Sequence, residues 1–187
     1  MKSKRMNSVV LTACMFVFAL TLATAQEKTV MVGGAQMYPS KNIIENAMNS
    51  KDHTTLVAAV KAAGLVETLQ GKGPFTVFAP TNTAFDALPS GTVETLLKPE
   101  NKAMLSGVLT YHVVAGKLDS QELMKRIKAG NGKAELTTVA GGKLWAGMEG
   151  NMLKIWDEKN NAALVTVKDV YQSNGVIEVI DKVLMAK

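Results

Sequence analysis

The chain has 187 residues, a formal net charge of +5 and one cysteine, and this length suggests a single domain. Three of its 21 basic residues but none of its 16 acidic residues lie in the first 25 positions. The remainder is close to neutral, which excludes the basic surface typical of nucleic-acid-binding proteins.

The start of the chain has the features of a secretory signal peptide. Lys2, Lys4 and Arg5 form a basic beginning, an uncharged run of 15 residues follows over 9–23, and Ala23-Thr24-Ala25 is a small-x-small cleavage site. The run is shorter than the ~20 residues that span a bilayer as a helix. We therefore expect a signal peptide over residues 1–25, cleaved after Ala25, no integral membrane span, and a secreted or periplasmic product.

The alternative is a lipid anchor on Cys14, because Leu11-Thr12-Ala13-Cys14 matches the pattern that precedes a lipidated cysteine. Most of the apolar run lies after Cys14, where a lipoprotein would begin its polar tether, so the sequence favours cleavage over lipidation. Loss of Cys14 with the leader would leave a mature chain without disulfides or thiolate metal sites.

Residues 26–40 are expected to form an N-terminal arm, with a turn at Gly33-Gly34, and residues 41–187 a single domain. Apolar periodicity and capping residues predict a series of helices in the first part of this domain. The first helix is capped by Ser40 or Asn42 and ends at Asn49, and the second is capped by Asp52 or Thr54 and ends before Gly64. A turn over 66–69 and short pieces over 83–88 and 92–97 follow. A longer helix begins at Asn101, with Met104, Leu105, Val108 and Leu109 inward, and the last one extends from Asp119 or Ser120 to Ala129.

The stretch 75–85 predicts a strand, a sharp exit and a helix start. Its first residues are β-branched or aromatic, as strands favour. Pro80 has no N–H to donate and should end the strand, and the Thr-Asn-Thr run after it can cap a helix. Thr83 and Asp86 have the spacing of a capping box.

The second half of the chain has the composition of strands separated by turns. β-branched and alternating segments predict strands over 111–114, 135–139, 143–148, 153–157, 162–167 and 176–180. Because helices cluster early and strands late, the fold class is expected to be α+β rather than a doubly wound parallel sheet.

Three stretches occur in a characteristic order and spacing: 76–85, Tyr111-His112 and 173–181. Together they resemble the signatures of the fasciclin domain family, and the similarity extends from about Asn42 to Met185. The resemblance implies a β-sandwich-like wedge of mostly antiparallel strands with several helices along one edge. The motif residues expected to have structural roles are Thr76, Pro80, Thr81, Asn82, Phe85, Asn174, Gly175 and Asp181.

Tyr111 and His112 fall on a motif that adhesion proteins of the fasciclin family use to bind integrins or matrix, so the resemblance implies a binding role for both residues. The structural alternative is a histidine that satisfies hydrogen bonds at a helix end. It is favoured because histidines inside proteins seldom lack a partner.

Trp145 and Trp156 are the only tryptophans of the chain. If residues 149–152 form a four-residue loop, Met148 faces Leu153 and the two indoles lie directly opposite each other on neighbouring strands. They would then form an exposed aromatic platform for a glycan or protein partner. The alternative, a pair that covers one end of the core, is favoured by the large area that Trp buries.

Two further positions bear on function. His53 beside Asp52 could suggest a metal site, but Asp strongly prefers helix N-caps, so we expect capping or surface exposure for both residues. Glu178 stands where the family commonly has His, and a carboxylate there is expected to be paired, near the sheet end, or exposed. Any role of that family histidine is therefore in doubt in this chain.

The sequence has no Gly-x-Ser-x-Gly elbow and no phosphate-binding loop, so we expect no enzyme, cofactor, metal or nucleic-acid partner. The resemblance implies an exported module that binds protein or glycan partners at the cell surface, in the periplasm or in the matrix. We expect a monomer or weak oligomer. The alternatives are a carrier of a small apolar ligand, lipid or pigment, and an enzyme of unknown class.

Overall fold

A computed structural model describes residues 28–187, so the predicted signal peptide, its cleavage site and Cys14 lie outside the described residues. The α-helices are Ile43–Ala47 (α1), Thr54–Ala63 (α2), Val66–Gln70 (α3), Asn82–Asp86 (α4), Thr92–Leu96 (α5), Lys102–Tyr111 (α6) and Ser120–Ala129 (α7). The strands are Val30–Val32 (β1), Ala35–Met37 (β2), Phe75–Pro80 (β3), Val113–Ala115 (β4), Lys133–Thr137 (β5), Lys143–Glu149 (β6), Met152–Trp156 (β7), Ala162–Gln172 (β8) and Gly175–Ile180 (β9). The predicted α+β class is confirmed.

The main sheet has seven strands in the order β4-β3-β9-β8-β7-β6-β5, and β1 and β2 form a separate hairpin. β3 and β9 run parallel, and the other neighbours in the main sheet are antiparallel. Irregular pairing between Val165 and Val170 interrupts β8, and such bulges bend a strand. A bridge between Val114 and Thr138 connects the two far ends of the sheet, so the sheet folds over into a β-sandwich-like wedge.

Two apolar cores lie on opposite faces of β3 and β9, since successive side chains of a strand point to opposite faces. Val77 and Ile177 belong to the first core, which the helices α1 to α6 cover, whereas Phe78 and Ile180 belong to the second, between the sheet and α7. Six of the seven α-helices of the described chain therefore cover one face of β3 and β9, whereas α7 covers the other face, so the expectation that the helices lie along one edge holds only in part.

Several helix ends follow the predicted capping residues. Asn42 caps α1 in a capping box with Glu45, Asp119 caps α7 by accepting from the Glu122 N–H, and Gly64 ends α2 with a left-handed φ of 73°. These contacts join residues close in sequence, which is why the sequence predicts them.

Other local predictions are wrong. Thr81 rather than Thr83 caps α4, so Thr83 and Asp86 do not form a capping box. Met104, expected to face inward, is 60 % exposed, because the buried face of α6 follows Leu105 and Leu109, which are buried as predicted. Tyr111 ends α6 instead of beginning β4.

The segment expected to be an arm folds as the β1–β2 hairpin, with its turn at Gly33-Gly34 as predicted. Val32 and Met37 point inward and belong to the first core. The main-chain carbonyl of Gly33 accepts from the Lys51 N–H, which holds the turn against the start of α2.

Candidate functional site

Trp145 and Trp156 are direct partners in the antiparallel pairing of β6 and β7, and Met148 faces Leu153, as the sequence predicts. Both indoles are half-buried on the outer face of the sheet. The Trp156 ring lies over Gly147, where an added Cβ would come within 2.7 Å of the ring. The absence of a side chain at Gly147 thus leaves the space that the Trp156 indole occupies.

Two lysines cover the exposed sides of these indoles. The ammonium of Lys133 lies 4.8 Å from the centre of the Trp145 ring, and that of Lys154 lies 5.4 Å from the centre of the Trp156 ring. Both distances are within the range of cation–π attraction. These lysines were not predicted as part of a site, although the alternation along β5 and β7 places them on the same face as the tryptophans.

Ion pairs border the aromatic pair. Lys143 pairs with Glu135 at 2.8 Å and Lys154 pairs with Glu149 at 3.0 Å. The hydrogen bond to Glu135 raises the pKa of Lys143. We call the surface formed by Lys133, Trp145, Lys154, Trp156 and the half-buried Leu164 the tryptophan face. It combines two flat apolar rings with two ammonium groups, a combination suited to stacking and to contact with anions.

Tyr111 is fully buried at the end of α6. Its hydroxyl donates to the Lys143 carbonyl at 2.7 Å and accepts from the Glu158 N–H at 3.2 Å. Burial raises the pKa of Tyr111 to about 12. Tyr111 therefore supports the beginning of β6, the strand that carries Trp145, from inside the protein.

His112 is also buried, with 3 % of its surface exposed. Its Nε2 accepts from the Leu184 N–H at 2.9 Å, and its Nδ1 lies 2.8 Å from the Val108 carbonyl. Because a carbonyl only accepts, the proton is on Nδ1. Burial lowers the pKa of His112 to about 4, against opposing contributions from the Val108 carbonyl and Asp157.

The four predicted binding residues therefore form two groups. The tryptophans lie together on the outer surface, whereas Tyr111 and His112 contact each other edge to face, with ring centres 6.5 Å apart, inside the protein. A binding role for Tyr111 and His112 stays a prediction, and a partner would have to reach side chains that this conformation encloses.

The first signature residues connect β3 to distant segments. The Thr76 hydroxyl donates to the Gly116 carbonyl at 2.7 Å and accepts from the Leu118 N–H at 2.8 Å. Pro80 is the last residue of β3, and Phe85 is buried in the first core. These contacts fix β3 against the chain that follows β4.

Thr81 and Asn82 act at the exit of β3. Thr81 caps α4 by accepting from the Ala84 N–H at 3.3 Å. The Asn82 side chain accepts from the Thr55 N–H at 3.0 Å and donates to the Lys51 carbonyl at 2.8 Å. Asn82 thereby connects α4 to the beginning of α2.

Asn174 joins three segments in the same way. Its carbonyl oxygen accepts from the Ile43 N–H at 3.0 Å, and its amide donates to the carbonyls of Leu69 and Gly71 at 2.8 and 2.9 Å. A side chain with donors and an acceptor is needed for this pattern. Asn174 holds α1, α3 and the following loop together.

Gly175 and Asp181 lie at the two ends of β9. An added Cβ at Gly175 would come within 2.1 Å of the Phe75 carbonyl oxygen, so the parallel pairing of β3 and β9 requires glycine there. The Asp181 carboxylate accepts from the Leu164 N–H at 2.7 Å. Both residues act on the sheet itself.

Glu178 is fully buried in the middle of β9, so the expectations of exposure or a place near the sheet end are wrong. Its carboxyl oxygens accept from the Asp169 N–H at 3.3 Å each. Burial, and secondarily the charge of Asp169, raises the pKa of Glu178 to about 8. At neutral pH the group is mainly a neutral acid, a state that the sequence pattern could not indicate.

His53 is buried rather than exposed, and neither it nor Asp52 caps α2 through its side chain. Its Nδ1 lies 2.8 Å from the Ser50 hydroxyl, which draws the ring inward. Across residues 28–187 no group of three or more His, Cys, Asp or Glu side chains could hold a metal ion. The same part of the chain has no helix of the length and apolarity that crossing a membrane requires.

Comparisons with known proteins agree with the geometry. A family model described as the fasciclin domain matches residues 51–186. Protein sll1483 of Synechocystis sp. is 46 % identical over 159 residues, which are 85 % of this chain and 81 % of that protein. Immunogenic protein MPT70 of Mycobacterium tuberculosis is 36 % identical over 144 residues, 74 % of this chain and 66 % of that protein.

A solved structure has the same fold. It is the FAS1 domain pair of the insect cell adhesion molecule fasciclin I, with a TM-score of 0.69 and 18 % sequence identity. The match covers 79 % of this chain and 52 % of that one, so this chain spans about half of the domain pair.

Proposed function

The chain belongs to the fasciclin domain family. We propose that it is an exported, non-enzymatic interaction module at the cell surface, in the periplasm or in the matrix, and that its partners are acidic glycans. The tryptophan face is the contact surface of this proposal. Its support is the paired register of Trp145 and Trp156 on the outer side of the sheet. Tyr111 and His112 have a structural role in it.

The chemistry of the tryptophan face favours a glycan with acid groups. The C–H faces of sugar rings pack on flat aromatic side chains, and two adjacent indoles offer an area suited to one or two sugar rings. Lys133 and Lys154, which lie over the indoles, would turn toward carboxylates of the glycan and free the ring faces. Uronic-acid polysaccharides combine both features.

Replacement of Trp145 and Trp156 by alanine is expected to weaken binding of the uronic-acid polymer alginate at least about ten-fold, because central aromatic residues dominate the energy of most binding sites. Calorimetric titration with alginate and with neutral dextran measures the effect. Dextran should bind more weakly than alginate, and added salt should weaken alginate binding.

The exposed Met48 on another part of the surface provides the control. Met48→Ala should bind alginate like the unmodified protein, and all variants should keep their unfolding midpoint within a few degrees. Equal alginate affinity of the double tryptophan variant and the unmodified protein would overturn the assignment of the site. So would strong protection of both indoles from acrylamide quenching.

The proposed export rests on the leader-like features of residues 1–25. If the leader is removed after Ala25, the protein purified from its host should have the mass of residues 26–187. An intact mass that includes Cys14 with a lipid would mean that the protein is anchored to a membrane rather than released. An unprocessed mass would contradict both.

A further inference from the structure

The first core contains an apolar cavity of about 50 Å³ that is partly open to the surface. Its wall consists mainly of aliphatic side chains from the β1–β2 hairpin, α1, α2, β3 and β9, including Val32, Met37, Ile44, Val60 and Ile177. Cavities of this composition in folded proteins are dry and accept apolar guests. The cavity belongs to the first core, whereas α7 packs on the second core, at the other face of the sheet.

Four polar side chains border the cavity, and three of them are accounted for. His112 uses both ring nitrogens, on Leu184 and Val108. Ser50 lies 2.8 Å from Nδ1 of His53, and Lys61 is exposed. The fourth group is Nε2 of His53.

Nε2 of His53 has no hydrogen-bond partner among residues 28–187, although His53 is only 3 % exposed. The Ala79 carbonyl is near enough to oppose the decrease in pKa that burial causes, but it is not in hydrogen-bond geometry with Nε2. A buried polar atom without a partner costs about 1–3 kcal/mol, and native structures rarely keep one.

Water is poorly suited to this position, because a buried water makes about three hydrogen bonds, and beside Nε2 the wall offers the Ala79 carbonyl among mainly aliphatic side chains. A hydroxyl group attached to an aliphatic chain fits better. It both donates and accepts, so it satisfies Nε2 whichever ring nitrogen carries the proton, and its chain contacts the aliphatic wall.

We propose that the cavity is a binding site for a neutral aliphatic molecule with one hydroxyl group, which meets Nε2 of His53. The cavity has room for the hydroxyl and the first carbons. The rest of the chain leaves between α2 and α3, where the lining residues Val57 and Val66 are half-exposed and Lys61 is exposed. This site shares no residue with the tryptophan face, so it stands independently of glycan binding.

The test compares two alcohols, 1-butanol and 1-hexanol, with 1-chlorobutane, which has no hydroxyl group. Each probe is titrated into the protein, and NMR follows the signals of the His53 ring nitrogens and of the methyl groups of the cavity wall. The alcohols are expected to shift both sets of signals, and 1-chlorobutane only the methyl groups. His53→Leu should weaken alcohol binding about three- to ten-fold and leave 1-chlorobutane binding unchanged.

A second variant fills the cavity without changing His53. Ala47→Met, at a half-buried lining position of α1, should abolish the methyl shifts caused by either probe. The proposal is overturned if saturating alcohol leaves the cavity methyl signals unchanged, if His53→Leu weakens both probes equally, or if only an ordered water is detected at Nε2.

Discussion

Glutamine in place of Glu178 is expected to raise the free energy of unfolding by about 4–5 kcal/mol at pH 8 and above, and to leave it nearly unchanged at pH 4. In the folded protein burial raises the pKa of Glu178 from 4.5 to about 8. The folded state therefore holds a proton that the unfolded state releases above pH 4.5. The stabilising effect of the proton on Glu178 is complete below pH 4.5. It is lost as the pH rises to about 8, at about 1.4 kcal/mol per pH unit.

The surroundings of Glu178 support this sign. Asp169 and Asp119, both near the beginning of α7, disfavour a further negative charge, whereas Lys168 and the Asp169 N–H favour it. Asp169 is itself held by the N–H and hydroxyl of Ser120, at 2.7 and 2.6 Å. An ionised Glu178 would thus lie buried beside two carboxylates, and glutamine keeps the acceptor for the Asp169 N–H without that charge.

Urea unfolding between pH 4.5 and 8.5 measures the effect. The free energy of unfolding of the unmodified protein should fall with pH relative to Glu178→Gln, so that the two curves diverge. Glu94→Gln, at an exposed position on α5, is the matched control and should stay within about 0.5 kcal/mol of the unmodified protein. Parallel curves for Glu178→Gln and the unmodified protein would mean that folding does not raise the pKa of Glu178.

The parts of the fold that the sequence predicts depend on residues close together in the chain. The cap of α1 by Asn42 joins residues three positions apart, and the pairing of Trp145 with Trp156 follows from the length of one turn. Such contacts need only local geometry. They fix elements and hairpin register but not the arrangement of elements in the sheet.

The rest depends on segments far apart in the sequence. The parallel pairing of β3 with β9 places Glu178 opposite Phe78 in the middle of the sheet, and nothing in the local pattern of β9 indicates this position. The turn that carries His53 lies against the β1–β2 hairpin, and the cavity beside His53 has lining residues from ten α-helices and strands of the described chain. The tryptophan face was predictable in part, because its rings are on one hairpin, whereas Leu164 comes from β8.

Alanine in place of His112 is expected to lower the free energy of unfolding by about 3–5 kcal/mol near pH 7, because it removes a buried ring and leaves the Leu184 N–H without its acceptor. The His112 ring holds the C-terminal segment against α6 through Leu184 and Val108. Urea unfolding measures the loss. Lys182→Ala, an exposed change in the same segment, is the control and should stay within about 0.5 kcal/mol.

His112 also produces a pH dependence opposite in sign to that of Glu178. Its pKa is lowered by burial from 6.5 to about 4, so the unfolded state takes up a proton first as the pH falls. Its stabilising effect is complete above pH 6.5 and is lost as the pH falls to about 4, on the order of 3 kcal/mol in all. His112→Ala should lack this acid-side loss, and an unchanged loss would show that other groups cause it.

Between pH 4.5 and 6.5 the two effects nearly cancel, since Glu178 loses and His112 gains about 1.4 kcal/mol per pH unit. Outside this range only one of these two effects acts, that of Glu178 on the alkaline side and that of His112 on the acid side, where the lowered pKa of His53 acts in the same direction. The unmodified protein should therefore be most stable in mild acid, whereas Glu178→Gln should reach its maximum near neutral pH. A maximum at the same pH for both proteins would contradict the assignment of the alkaline loss to Glu178.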